Sequence, residues 1–186
     1  MTLQNGTAID VASAFLRERV IFLAGAIDDS LANKVVSQIL LLAADSDSDI
    51  TVYINSPGGS VSAGLAVFDT IQHVPCDVRT IGIGMCASMG AFLLCSGTPG
   101  KRAVLPNTQV LIHQPIGGAS GQATDIAIAA QHILEARERI NRIMAERTGN
   151  SQETISRDME RDHWMWGAEA VEYGVADRVI EPDRLC

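Results

Sequence analysis

Two residues of the sequence stand where nucleophilic chemistry can be placed. Ser88 lies in Cys86-Ala87-Ser88-Met89-Gly90, where a strand pattern ends in a Gly-rich bend and a helical pattern begins. A serine at such a bend presents its hydroxyl beside the N–H groups of a helix start, which suits a nucleophile next to an oxyanion hole. The plainer reading is a helix-capping serine, and Cys86 breaks the G-x-S-x-G pattern. His113 closes the strand-like run before Gln114-Pro115, a place where a side chain emerges from a sheet. It reads as a catalytic base or, more plainly, as a structural histidine. An orienting acid must come from elsewhere, because positions 78 to 124 hold no Asp or Glu, although the chain has 22. Asp125, Asp158, Glu160 and Asp162 are candidates, and spacing alone does not choose among them. Gly58 and Gly59 either shape a turn only or also offer unobstructed N–H groups to an oxyanion.

The acid-free stretch carries Arg79, Lys101, Arg102 and His113. Its simplest cause is burial, since buried carboxylates are costly; a site that meets developing negative charge is the sharper one. Other chemistries fit less well. Gly82-Ile83-Gly84-Met85-Cys86-Ala87 matches a dinucleotide-binding turn, but the acid expected about 20 residues later is missing. Gly97-Thr98-Pro99-Gly100-Lys101 is too short for a phosphate loop, and Arg102 stands where a Ser or Thr should follow the lysine. The four cysteines form no C-x-x-C pair and no cluster with histidines, so no metal is expected and free thiols are. A net charge of −8 with only 4% aromatic residues leaves little for nucleic-acid binding. No apolar run reaches the ~18 residues of a membrane span, and no signal peptide is visible. The expectation is a soluble, cytoplasmic protein.

The elements that must position these residues alternate between strand and helix. Strands are expected at Val20–Leu23, Ile50–Ile54, Val78–Ile83, Ala103–Leu105, Val110–Ile112 and Arg178–Ile180. Helices are expected from Ser30 to Ala44, from Ser60 to about Gln72, from Ser88 to Leu94 and from Thr124 to about Arg147. Two short ones follow, Ser151–Arg157 and Ala168–Tyr173. Such alternation predicts an α/β layered fold. His163-Trp164-Met165-Trp166 reads as core packing.

Taken in order, Asn55-Ser56-Pro57-Gly58-Gly59, Gly84 to Leu94, Ile112-His113-Gln114-Pro115, Gly121 to Ile126 and Glu160-Arg161-Asp162 resemble the Clp protease proteolytic subunit (ClpP) family. The match runs from about Phe15 to Ile180, leaving residues 1–14 as a short amino-terminal segment before a single domain, 15–186. The resemblance implies a crotonase-like α/β fold with a protruding handle helix, and a serine endopeptidase. Carried over by motif, Ser88 is the nucleophile, His113 the base and Asp162 the orienting acid, with the N–H groups of Gly59 and Met89 as the oxyanion hole. Unfolded polypeptide would lie extended between Ser60-Val61-Ser62 and Ile116-Gly117-Gly118.

The resemblance also implies two stacked seven-membered rings. A Gly117–Gln122 strand and the following helix would join them, with Gln122 and Arg161 bridging beside the triad. No cofactor is implied; ATP is used only by a partner AAA+ unfoldase. Thr51, His73 and Ala103 replace residues commonly aromatic in the pocket that receives the unfoldase loop, so weakened docking is expected. The chain then acts as an atypical paralogue or beside a second ClpP-like subunit. Two competing functions are a mainly structural ring subunit and a crotonase-type acyl-CoA enzyme.

Overall fold

The β-branched runs of the amino-terminal half pair side by side. In the computed structural model, which describes residues 10–181, β1 (Val20–Ala24), β2 (Ile50–Ser56), β3 (Val78–Ala87), β4 (Arg102–Val104) and β7 (Arg178–Val179) form a parallel ladder in the order β1-β2-β3-β4-β7. Each crossover between β1, β2 and β3 is a helix: α2 (Asp29–Asp45), capped by Asp28, and α3 (Val61–His73), capped by Ser60. Their apolar stripes, Ala32-Val35-Ile39-Leu42 and Ala63-Val67-Ile71, are buried on one sheet face with Ile21, Leu23, Val52 and Ile54. The other face is more open. There Phe22 stacks on Tyr53 at 5.4 Å, and Phe15 meets Phe22 edge-on at 5.0 Å. The architecture is the α/β layered class that the alternation predicts, consistent with the crotonase-like fold that the resemblance implies.

The feature that matters for the site is a bend in β3. Its first half pairs with β2 and β4; past the bend β5 (Gln109–Ile112) replaces β4 along the last three residues, while the pairing with β2 resumes, register-shifted, at Ser56 and Cys86. Between them Gly84 adopts φ +61, a left-handed conformation that favours glycine. The Asn55 side chain holds the bend by accepting from Met85 N–H at 3.2 Å. The bend carries Ala87, and Ser88 after it, to the end of β5.

Beyond β5 the chain forms α5 (Ala123–Thr148), a 26-residue helix of which only Ile140, Asn141 and Met144 are buried. Its amino-terminal half projects as a handle. Gly149, at φ +79, ends it. The sequence then forms α6 (Gln152–Asp158), β6 (His163–Trp166) and α7 (Gly167–Tyr173).

Two expectations need correction. Residues 117–122 form no strand: a strand needs a neighbour to bond with, and this segment, rich in Gly and Ser, has none among the described residues. His163–Trp166 is not core throughout. It is a strand antiparallel to β5, so its side chains alternate; Met165 is buried, while Trp164 and Trp166 are 51% and 53% exposed. Before β1 the chain forms a helix, α1 (Val11–Arg17), capped by Asp10. The remainder of the expected amino-terminal segment, residues 1–9, lies outside the described residues.

The acid-free stretch is largely core, and its cations are neutralised by acids from outside it. Lys101 pairs with Asp49 and Asp77 at 2.7 and 2.8 Å. The buried Arg102 donates through Nε to Asp177 at 3.0 Å and through a second nitrogen to the Arg147 carbonyl at 2.7 Å. Burial works against ionisation of Asp177, but its hydrogen bonds from Arg102 outweigh that and hold the carboxyl below its ordinary value. A depressed carboxylate contributes stability above its unfolded pKa, near 3.8 here, and loses it as pH falls through the folded value. Asp177→Asn should therefore cost about 2–3 kcal/mol at pH 7, below the range for a fully buried pair because Asp177 keeps 21% exposure. In urea titrations the gap between the variant and the unsubstituted chain should close as pH drops below 3.8.

Candidate active site

Ser88 is one of two non-glycine residues with positive φ among those described, at φ 55 and ψ −121. Such a conformation costs on the order of 1–3 kcal/mol and persists only where surroundings impose it. Here they do. Ser88 N–H donates to the Leu111 carbonyl of β5 at 2.8 Å, and Phe92 N–H donates to the Ser88 carbonyl at 3.0 Å, opening α4 (Met89–Leu94). The serine side chain makes no capping hydrogen bond. Its hydroxyl is left half-buried at the strand–helix junction, contrary to the plain capping reading.

Glycines let neighbouring backbone close on this turn. A Cβ at Gly58 would lie 2.6 Å from Ser88 Cβ and 2.7 Å from the Ala87 carbonyl; one at Gly90 would meet the Ser56 carbonyl at 2.8 Å. Gly59 is pressed against Ile27 from the other side. Ile27 N–H donates to the Gly58 carbonyl at 2.9 Å, and Ser60 N–H donates to the Ile27 carbonyl at 2.7 Å. Extended backbone alternates its donors, so Gly59 N–H points away from Ile27. Among the described residues it has no backbone acceptor, and neither has Met89 N–H, one of the free donors that begin any helix.

His113 follows the last residue of β5 and lines the same pocket as Ser88, with Met89, Phe92, Ile112 and Pro115. The β5–β6 ladder pairs Leu111 with Trp164 and ends at Ile112 with His163, so His113, which follows β5, and Asp162, which precedes β6, leave the ladder at the same end. The other acids are occupied or distant. Asp158 accepts from Arg157 at 2.9 Å and Tyr173 at 3.2 Å, and Glu160 from Arg137 at 2.8 Å. Asp125 sits in the first turn of α5. Asp162 is exposed and has no ion pair among the described residues. No hydrogen bond joins Ser88 to His113, or His113 to Asp162.

Beyond Val61 and Pro115 the pocket opens into a groove of about 560 Å³ between α3 and α5. Ser60, Val61, Ser62 and Ile116 line it; Gly117 and Gly118 lie past its end. Ser60 Oγ caps α3, accepting from Ala63 N–H at 3.3 Å, and Ile116 is 88% exposed. Gln122 and Arg161 are exposed as well. Thr51 and Ala103 fall on the outer sheet face, two strands apart, with Ala103 buried; His73 is the exposed last residue of α3. That face is not bare of rings, since Tyr53 and Phe22 stand beside Thr51.

Cys86 could compete as a nucleophile only as thiolate. Burial pushes its thiol up to about 12, and Sγ–H donates to the Ile54 carbonyl at 3.3 Å. Cys95 is likewise pushed up to about 12 by burial, against the pull of Arg102 and Arg147.

An α/β sheet that bends one strand to place a strained serine beside two open N–H groups and a histidine is the architecture of a hydrolase. The Clp protease family model matches residues 3–183, and the chain belongs to this family of peptidases. No helix among the described residues is long and apolar enough to cross a membrane.

Native protein treated with iodoacetamide at pH 8 should leave Cys86 and Cys95 unmodified, reacting roughly a thousandfold slower than an exposed thiol, until denaturant is added. Rapid native alkylation of Cys86 would make it a rival to Ser88.

Proposed function

We propose that the chain is a serine endopeptidase that cuts unfolded polypeptide to short peptides as the proteolytic core of an ATP-dependent Clp protease. One observation carries the reading: a serine held at positive φ, its side chain spent on no helix cap, shares a pocket with a histidine that leaves the β5–β6 ladder at the same end as the exposed Asp162. In this reading His113 takes the Ser88 proton as Oγ attacks the peptide carbonyl. The tetrahedral oxyanion is held by the N–H groups of Gly59 and Met89. His113 then gives the proton to the departing amine, leaving an acyl-serine. Water, deprotonated by the same histidine, releases the carboxylate and restores Ser88. Asp162 orients the imidazole and stabilises its charged form. Peptide laid extended in the groove between Ser60–Ser62 and Ile116–Gly118 is read mainly by its backbone, which suits unfolded substrates of many sequences.

The rest of the family role belongs to the proposal too: two stacked heptameric rings joined through α5 and the 117–122 segment, bridges at Gln122 and Arg161, a cytoplasmic setting and ATP spent only by a partner unfoldase. Thr51, His73 and Ala103 would give that unfoldase less contact area than aromatic residues would.

A second reading, a mainly structural ring subunit whose triad is present but misaligned, draws on the missing hydrogen bonds of the triad in the single chain. Catalytic hydrogen bonds often tighten only on complex formation. The two readings separate by labelling size-fractionated protein with a fluorophosphonate. The proposal expects labelling of Ser88 in the assembled particle, none in Ser88→Ala, and a loss of about 10⁴-fold or more in peptide hydrolysis for His113→Ala. An assembled particle left unlabelled would reduce the chain to a structural role.

A further inference from the structure

The pocket beside Ser88 is narrow, with room of about 20 Å³, and three of its lining residues are methionines: Met89, Met144 and Met159. Twenty cubic ångströms hold about one water. A substrate side chain enters only if a flexible wall gives way, and methionine, unbranched and with three rotatable bonds, is the residue that can.

Met89 already lies in a specific seat, which leaves Met144 and Met159 as the walls that yield. Its side chain lies along Gly64 of α3: a Cβ built on Gly64 would stand 2.2 Å from the Met89 terminal methyl and 3.4 Å from its Cβ and Cγ. Val61, one helical turn earlier on the same face, is itself a pocket wall. Gly64 is buried, and its helical backbone has no positive φ to explain a glycine. What the missing Cβ provides is a seat for a methyl group. Phe92, which lines the pocket with Met89, is itself held in ring contact with Phe68 of α3 at 5.1 Å. The open space that Met89 borders is the pocket.

Resting on the serine-peptidase reading, we propose that Gly64 is a specificity-determining residue: it receives the Met89 side chain and so keeps the pocket open to a large apolar residue on the acyl side of the scissile bond. Gly64→Ala displaces only the far end of a flexible side chain, so the fold survives while the methyl turns into the pocket. Gly64 touches no reacting atom; it acts through Met89.

The test uses the assembled full chain and a peptide series with Ala, Leu or Phe before the cleaved bond. The unsubstituted chain should prefer Leu, and Gly64→Ala should lower the Leu-to-Ala ratio of kcat/KM by about tenfold or more, the scale of a few methylenes in an apolar pocket. Met89→Ala should raise the Phe-to-Ala ratio. In that background Gly64→Ala should change either ratio by less than about twofold, because the two residues act as one unit. An unchanged ratio in Gly64→Ala, or the same drop in the Met89→Ala background, overturns the inference. If Gly64→Ala fails to assemble, an unchanged Phe-to-Ala ratio in Met89→Ala overturns it alone. Labelling with a small ethyl fluorophosphonate, run in parallel, separates the two levels. Labelled protein with unchanged ratios defeats the role of Gly64 only, whereas an unlabelled unsubstituted chain defeats the serine reading and this one with it.

Discussion

Backbone must approach backbone around Ser88 more closely than side chains permit, and much of the chain is arranged to allow it. The Gly58–Gly59 segment is clamped between Ile27 on one side and the Ser88 turn on the other, with space for a Cβ at neither glycine. That clamp aligns Gly59 N–H on the side away from Ile27 and presses the Gly58 Cα against Ser88. The β5 carbonyl at Leu111 pins the Ser88 amide from a third direction. A left-handed serine is thereby over-determined, and its strain is balanced by packing elsewhere. The bend at Gly84 serves the same constraint, because a straight β3 would run on beside β4 and never reach β5.

Charge is arranged with comparable economy. The stretch that builds the turn contains no carboxylate, so nothing in it opposes an oxyanion. Its own cations are tied to Asp49, Asp77 and Asp177, all outside the stretch and on strand ends or loops away from Ser88. Burial therefore accounts for the acid-free pattern. It also leaves the site with neutral donors in place of a free cation: two backbone N–H groups whose strength comes from fixed direction. The thiol at Cys86, two residues before the serine, is kept out of the chemistry by the same burial.

What the sequence made legible follows from how local each signal is. The helices expected from Ser30 and from Ser60 rest on short-range patterns and appear close to where expected, α2 starting one residue earlier behind Asp28. The strand–helix junction at Ser88 was readable for the same reason. Pairing was not. Nothing in His163–Trp166 says that it lies antiparallel to β5, and spacing leaves the orienting acid open among four residues. The ladder brings His113 and Asp162 out at one end, while the choice of Asp162 rests on the family resemblance. Arg19 was missed for a related cause: its guanidinium donates to the carbonyls of Leu42, Ser46, Ser48 and Asp49. Those bonds close the end of α2, a tertiary cap with no local signature. Gly64 was equally silent, because a helical glycine declares its purpose only when the side chain resting on it is seen.

The residues that remain unsatisfied in the single chain are concentrated in one direction. Residues 117–122 form no strand with any described residue, most of the amino-terminal half of α5 is exposed, and Asp162, Arg161 and Gln122 are exposed as well. A helix this exposed is stable only when it bridges to something or is laced by charge pairs. Here Gln131 with Glu135 and Arg137 with Glu160 supply some lacing, while Ile126, Ile128 and Leu134 stand exposed along it. Burying those side chains against a second copy would order the adjoining segment, and that segment leads straight to His113 through Pro115 and Ile116. The physical route by which assembly would tighten a loosely held histidine is thus short: one loop, anchored where Gln114 N–H donates to the Met159 carbonyl at 2.6 Å, two residues before the Arg161–Asp162 pair.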